Sequence, residues 1–290
     1  MNRVNGQSKK TGWIVLVILL LIVALIGFGL YSSRHLLTVS HYTIEQEDIR
    51  ESIRIVHLTD LHNSVFGEGN KRLLAGVEAQ KPDLIFLTGD LLNQNDPNTE
   101  IAVDLIRNLV KIAPVYASFG NHELTHEQNF GTDMRKLFSD AGAVVLEYNY
   151  MEIKLKEQEF RIGGLYGYCV PPTESNRWKK QKDYLTEFQD TDTTALLLCH
   201  IPVSWIQNTS LNDWDIDVIF AGHAHGGQIR IPFVGGLWAP DQGWFPGREC
   251  GLYYAKDNSS VLVLSRGLGS NNIIPRFNNV PEIVVVDLTH

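Results

Sequence analysis

Cysteine is scarce in this 290-residue chain: Cys169, Cys199 and Cys250 are the whole set, and no two form a C-x-x-C pair. Three dispersed thiols build neither a disulfide framework nor a thiolate zinc site, and their odd number leaves the redox compartment open. Cys199, closing an apolar run, reads as a buried strand residue. Positive charge is also in deficit, with 25 Lys and Arg against 33 Asp and Glu and a net charge of -8. A sequence-independent nucleic-acid binder needs a basic face to displace counterions, so no nucleic acid binding is expected. The chain has no block of like charge, no Pro/Gly/Ser-rich linker and no internal repeat, and no protein partner is inferable. Its 44 % hydrophobic content excludes disorder and suffices for a packed core.

One stretch is extreme. Residues 13 to 31 (WIVLVILLLIVALIGFGLY) run for 19 residues without a charge. As a helix they span roughly 28 Å, about one hydrocarbon core. Trp13 and Tyr31 stand at the two ends, where amphipathic rings favour the headgroup level. The stretch is long for the apolar part of a signal peptide, and no A-x-A-like cleavage site follows, so an uncleaved transmembrane anchor is expected. Arg3, Lys9 and Lys10 precede it, whereas only Arg34 and His35 closely follow. The positive-inside rule then predicts a cytoplasmic N-terminus at 1 to 12 and a single-pass cell-membrane protein with residues beyond 32 on the extracytoplasmic side.

Residues 38 to 46 alternate as a strand within a membrane-proximal segment, 32 to 49. The main domain is expected over 50 to 290. Its first hundred residues repeat a unit: strand 53 to 59, helix from about 70 to 80, strand 84 to 88, helix from about 98 to 111, strand 114 to 118. Pro82 and Pro114 stop each helix before the next strand, as βαβ connections of a largely parallel sheet require. A helix near 132 to 141 and shorter apolar runs follow, then a helix around 178 to 188. Strands near 194 to 199, 217 to 221, 228 to 231, 252 to 256, 260 to 264 and 283 to 287 complete the order. The fold class is α/β, with two mixed sheets packed face to face and helices outside.

Five polar words fall where the β-runs end: Asp60-Leu-His62, Gly89-Asp90, Gly120-Asn121-His122-Glu123, His200, and Gly222-His223-Ala224-His225. Asp60, Asp90 and Asn121 are 30 and 31 residues apart, which puts each at the carboxyl end of a successive strand, where α/β scaffolds gather reactive groups. In an extended exit, residues i and i+2 point the same way, so Asp60 and His62 are expected to aim at one point, as are His223 and His225. Any one of these residues alone would read as a turn, a helix cap or a satisfied strand-end histidine. Together, carboxylate, imidazole and amide oxygen without thiolate suit two divalent ions, manganese first, with iron or zinc as alternatives. Asp90, in the middle of the set, is the natural bridge between cations ~3.5 to 4 Å apart.

The words DLH, GDLLN, GNHE, CHIP and GHAHGGQ resemble the calcineurin-like metallophosphoesterase superfamily from about residue 50 onward. The stretches APDQGWFPGRECGLYY and SRGLGSNN…PRFNNVPEIVVVDL are similar to its membrane-associated bacterial branch of YaeI-like phosphoesterases and UDP-diacylglucosamine pyrophosphatases. The resemblance implies a four-layer α/β/β/α sandwich. It also implies that Asp60, His62 and His225 bind one ion, that Asn121, His200 and His223 bind the other, and that Asp90 bridges them. His122 is then the catalytic group beside the scissile phosphate, an imidazolium that stabilises an oxygen or protonates the leaving group, with Glu123 orienting it. Protein phosphatases of the superfamily continue the second motif as GDxVDRG, whereas Asn93-Gln94-Asn95 stand here, which argues against phosphoprotein substrates.

Two cations lower the pKa of a shared water and polarise phosphoryl oxygens, so hydroxide attack in line on phosphorus is the expected chemistry. No Ser or Cys nucleophile with a partnered base is evident. The short tether favours a lipid-linked or membrane-proximal phosphodiester or pyrophosphate over a diffusing nucleotide. The alternatives are a broad-specificity phosphomonoesterase and a catalytically silent tethered binding protein. Phe233, Trp238, Trp244 and Phe245 form either an aromatic lip that touches lipid or a loop packed over the core. Arg230, Arg248, Arg266 and Arg276 are candidates to clamp a second phosphate.

Overall fold

The computed structural model describes residues 4–168, 178–207, 210–270 and 274–290, with side chains from residue 12 onward; Cys169 lies outside the described residues. The runs read as strands are apolar on successive residues because both of their faces are covered. In β2 (Ile53–Leu58) and β3 (Leu84–Thr88), Ile53, Ile55, Leu84 and Phe86 face a second sheet, while Val56, Leu58, Ile85 and Leu87 face helices. The helices on that outer face are α2 (Lys71–Glu78), α3 (Glu100–Leu109) and α5 (Met134–Asp140), which contribute Leu73, Val77, Ile106 and Phe138.

The first sheet also contains β1 (Thr38–Glu45), β4 (Val115–Ser118), β5 (Val144–Val145) and β16 (Glu282–Thr289), in the order β1-β16-β2-β3-β4-β5. All its pairs are parallel except β16 with β2. The second sheet comprises β6 (Asn149–Leu155), β7 (Gln158–Leu165), β8 (Thr194–Cys199), β9 (Val218–Ala221), β14 (Gly251–Tyr254) and β15 (Val261–Leu264). Its order is β14-β15-β9-β8-β7-β6, with a parallel centre and antiparallel edges. Phe160, Leu196, Leu198, Phe220 and Val263 fill the space between the sheets. On the far face, α6 (Lys179–Phe188) and α7 (Val203–Gln207) pack Leu185, Phe188 and Trp205 against Leu197 and Ile219. The architecture is therefore the expected α/β/β/α sandwich. Cys199 is fully buried in β8.

The N-terminal helix α1 (Val4–His35) contains a stretch, Gly12–His35, long and apolar enough to cross a membrane, and it projects with its apolar side chains exposed. Its carboxyl end is docked. Gly29 lies so close to the Phe277 ring that a Cβ there would overlap it. Ser33 Oγ donates to the Gly29 carbonyl (2.7 Å) and accepts from Asn279 N–H (2.9 Å), and Arg72 Nη1 donates to the His35 carbonyl (2.8 Å). The following strand β1 pairs with β16 along its whole length, so the 32–49 segment supplies an edge strand of the folded body.

Candidate functional site

The neighbouring strands β2, β3 and β4 of one sheet, and β8 and β9 of the other, end at the same edge of the sandwich. There the chain turns abruptly. Asp60 (φ 54°), His62 (φ 47°), Asp90 (φ 52°), His223 (φ 66°) and His225 (φ 48°) are all left-handed rather than extended. The expected i, i+2 convergence is thus reached by another route: tight turns rotate these side chains inward at a cost on the order of 1 kcal/mol per residue. Backbone pairing holds them, with Asp60 N–H donating to the Gly89 carbonyl and His62 N–H to that of Asp90, both at 3.0 Å. Gly222 allows this crowding, since a Cβ there would strike the Asp60 carboxylate and Thr59.

The predicted residues come together. Ligand-capable atoms of Asp60, His62 and His225 lie within 4.8 Å of one another, as do those of His62, Asp90 and His122, and those of Asp90, His200 and His223. Asp90 is central: its Oδ2 is 3.3 Å from His200 Nε2, 3.7 Å from His62 Nε2 and 3.9 Å from His122 Nε2. Its Oδ1 accepts the His122 backbone N–H at 2.9 Å. His223 N–H donates to the Asp60 carboxylate at 3.0 Å, tying the sheets together. Asn121 opens helix α4 (Asn121–Phe130), which the sequence pattern did not suggest because the word GNHE is followed by few apolar residues.

The donor set fits divalent cations. Asp60 and Asp90 are fully withdrawn from solvent, and among the described residues neither has a Lys or Arg within ion-pair distance. Buried carboxylates without a cation are strongly disfavoured. His62 Nε2, His200 Nε2 and Asn121 Oδ1 are buried atoms with no hydrogen-bond partner, and so is His225 Nδ1, whose Nε2 stands 3.6 Å from Asp60. Burial disfavours the charged form of His62 and pushes it down to about 3, leaving a neutral imidazole. Burial raises Asp60. It acts the same way on Asp90, but the His200 imidazole, 3.3 Å away, holds that carboxyl well below its usual range.

A second set of groups fixes the rings. The His200 Nδ1–H donates to the Thr88 carbonyl (2.6 Å), which turns Nε2 toward Asp90. Asn93 clamps His62, its Oδ1 accepting from Nδ1 (3.2 Å) while its Nδ2 donates to the His62 carbonyl (3.0 Å). Asp241 accepts from His223 Nε2 at 3.1 Å and from the Tyr168 hydroxyl at 2.9 Å. Such partners set the tautomer and raise ligand basicity. Reading by residue type gave Asn93 and Asp241 no role, although both lie within stretches that carried the family resemblance.

Two expectations are corrected. Glu123 does not touch the His122 ring; its carboxylate accepts the backbone N–H groups of Asp90, Leu91 and Gly120, each at 2.8 Å. His122 Nδ1 accepts the Gln94 N–H at 3.1 Å, which leaves Nε2 facing the cluster. The four arginines are engaged internally. Arg266 pairs with Glu282 (2.9 Å), Arg276 donates to the carbonyls of Arg266, Gly269 and Asn279, Arg248 to Ile206, and Arg230 to Gly226.

A four-layer sandwich whose facing sheets end in one largely buried Asp/His cluster defines a metallohydrolase class. Residues 53–227 match the calcineurin-like phosphoesterase family, and the chain belongs to that family and is a phosphoester hydrolase. Members of this family use a dinuclear metal site. The chain is 30 % identical over 257 residues to the phosphodiesterase YaeI of Escherichia coli, covering 83 % of this chain and 84 % of that protein. It is 27 % identical to the metallophosphoesterase YkuE of Bacillus subtilis, covering 90 % and 89 %. It is 23 % identical to the UDP-2,3-diacylglucosamine pyrophosphatase LpxG of Chlamydia trachomatis, covering 81 % and 83 %.

Proposed function

We propose that the chain is a two-metal phosphodiesterase or pyrophosphatase acting on a lipid-linked or membrane-proximal substrate at the extracytoplasmic face of the cell membrane. In this reading Asp60, His62 and His225 hold one cation, Asn121, His200 and His223 hold the other, and Asp90 touches both. Manganese suits these oxygen and imidazole donors, with iron or zinc as alternatives. When bound, the cations would polarise phosphoryl oxygens and make water acidic enough to supply hydroxide near neutrality.

The chain's own groups then divide the remaining work. Thr88, Asn93 and Asp241 keep three imidazoles in the tautomer and orientation that the ions require. His122, on the first turn of α4, points Nε2 at the cluster and donates a hydrogen bond from it to the negative charge that develops on the phosphoryl or leaving oxygen, a role worth roughly 10²- to 10³-fold. Gln94 N–H, bonded to Nδ1, keeps the ring in this orientation.

The observation that carries the membrane half of the reading is the docked end of α1. Ser33 of that helix bonds Asn279, and the Asn279 side chain donates to the His225 carbonyl at 2.7 Å, so one residue separates the apolar helix from a predicted ligand. A cavity of about 350 Å³ opens at the same place, lined by Ser33, Arg34, Ser64, Gly269 and Arg276. Gly269 N–H bonds the Asp60 carbonyl, so this cavity adjoins the Asp60 turn. The names of YaeI and LpxG support diester or diphosphate cleavage, and the extracytoplasmic placement rests on the charges flanking the helix.

The test is hydrolysis by the full chain in detergent with Mn²⁺, across a bis-aryl phosphate, a mono-aryl phosphate, nucleotide-diphospho-lipids and polyprenyl pyrophosphates. Preference for diester or lipid-linked diphosphate is expected, and preference for the monoester overturns the substrate class. For orientation, a carboxyl-terminal alkaline-phosphatase fusion should be active in intact cells; an inactive fusion beside an active cytoplasmic reporter overturns the placement.

A further inference from the structure

Downstream of the predicted ligand His225, two short hairpins leave the sandwich: β10 (Arg230–Ile231) with β11 (Gly235–Gly236), and β12 (Trp238–Ala239) with β13 (Gly243–Trp244). Their tips break the usual partition of residues. Phe233 is completely exposed (109 % of its reference area), Trp244 is 68 % exposed, and Val234 and Phe245 are 61 % and 60 % exposed. Isolated exposed apolar residues are ordinary, but a group of large ones on adjoining turns marks an interaction surface. Phe233 (φ 67°) and Phe245 (φ 53°) also sit at left-handed turn positions, where glycine or asparagine would be less strained. Neither ring recovers that cost by packing in the core.

These tips are continuous with the docked end of α1. Arg230 N–H donates to the Phe277 carbonyl (3.0 Å), Asn278 Nδ2 donates to the Arg230 carbonyl (3.0 Å), and Phe277 is the residue whose ring lies on Gly29. The second hairpin joins the same support. Leu237 N–H bonds the Ile229 carbonyl, and Phe245 N–H bonds that of Leu237, both at 2.8 Å. Gly29 lies two residues inside the Tyr31 end of the apolar span. Phe233, three residues from Arg230, is within about 11 Å of Arg230 by chain reach. The hairpin base is braced by buried Glu249, whose Oε1 accepts from Gly236 N–H (2.7 Å) and Arg230 Nη1 (3.3 Å).

We propose that Phe233, Val234, Trp244 and Phe245 insert into the interfacial layer of the bilayer that α1 spans, giving the domain a second membrane contact beside its active site. Aromatic rings are favoured at that depth, and apolar side chains on a braced turn enter it without ordering further backbone. The segment that carries the lip also carries Asp241, the partner of His223, so seating the lip holds the cluster against the membrane surface. This inference rests on the reading of α1 as a membrane anchor.

The test separates the two. The full chain is reconstituted into phosphatidylcholine vesicles containing brominated lipid, whose bromines quench nearby indoles, and its emission is compared with that of the Trp13→Phe and Trp244→Phe variants. Trp13, at the far end of α1, reports the anchor; Trp244 reports the lip. Both replacements should remove part of the quenching. Quenching that depends on Trp13 but not on Trp244 overturns the lip and leaves the anchor standing. Quenching that depends on neither overturns both. Phenylalanine keeps each site apolar and aromatic, and unchanged hydrolysis of the bis-aryl phosphate in detergent verifies that the Trp244→Phe variant is folded.

Discussion

Glu123 offers the sharpest test of how the site is held. Its carboxylate is fully buried and receives three backbone N–H groups, two from the turn that carries Asp90 and one from Gly120, which precedes Asn121 and His122. It therefore brackets two segments that supply groups to the cluster. Glu123→Ala leaves three buried donors without an acceptor, at about 1 to 3 kcal/mol each. Taking the lower figure, because the turn can shift toward water, the loss is about 3 kcal/mol. For a body of this size the melting temperature should fall by roughly 6 to 12 °C. Glu123→Gln keeps one acceptor oxygen but sets an amide N–H against at least one backbone donor, so its loss should be smaller, about 1 to 2 kcal/mol. The assay is thermal unfolding of the full chain in detergent, with manganese content measured on the same samples. Both metal content and melting temperature should fall in the order wild type, Gln, Ala. A Glu123→Ala protein that melts within about 2 °C of wild type and keeps its metal refutes the bracket.

Other outcomes follow from the same geometry. His122→Ala should lower kcat roughly 10²- to 10³-fold while metal content stays at the wild-type level; loss of metal would move His122 from hydrogen-bond donor to structural support. Asp241→Asn should weaken metal affinity roughly 10- to 100-fold, read by titration of the apoprotein with Mn²⁺, because His223 loses its carboxylate partner; unchanged affinity removes Asp241 from the site. Glu147 carries a pH prediction. Burial pushes its carboxyl up to about 7 against the backbone N–H donors of Tyr166 and Phe119. The folded chain therefore holds this proton more tightly than the unfolded one, and the contribution is fully present below pH ~4.5 and lost as pH rises through ~7. Its full size is at most about 3 kcal/mol. In Glu147→Gln this fall in stability between pH 4.5 and 7 should flatten, and an identical pH profile contradicts the assignment.

The parts of the molecule that were legible from the chain are those governed by local pattern. Strands buried on both faces announce themselves as continuous apolar runs, and Asp60, Asp90, Asn121, His200 and His223 are conspicuous because a polar residue ends each run. What was not legible depends on contacts distant in sequence. Asn93 and Asp241 matter because they meet His62 and His223, and no spacing rule reports such a meeting. The left-handed turns at Asp60 and His223 replace an extended exit because crowding between the sheets, not local preference, sets their conformation. Glu123 sits beside His122 in the chain, yet α4 carries its carboxylate to the backbone of the neighbouring turn. The four arginines looked available because their partners are mostly backbone carbonyls, some three or four residues away and some on distant segments, and a carbonyl leaves no trace in residue type.

The position of β16 has a consequence for biosynthesis. This strand lies between β1 and β2, and Val284 pairs with His57 across more than two hundred residues of chain. A nascent chain that has already produced every residue of the cluster still has an open slot in its first sheet, with two unpaired strand edges, until residues 282–289 arrive. Open edges invite pairing with other chains, and closing so long a loop is slow. Every residue of the cluster is thus made before the strand that closes the sheet carrying Asp60 and Asp90, and that sheet completes its pairing last.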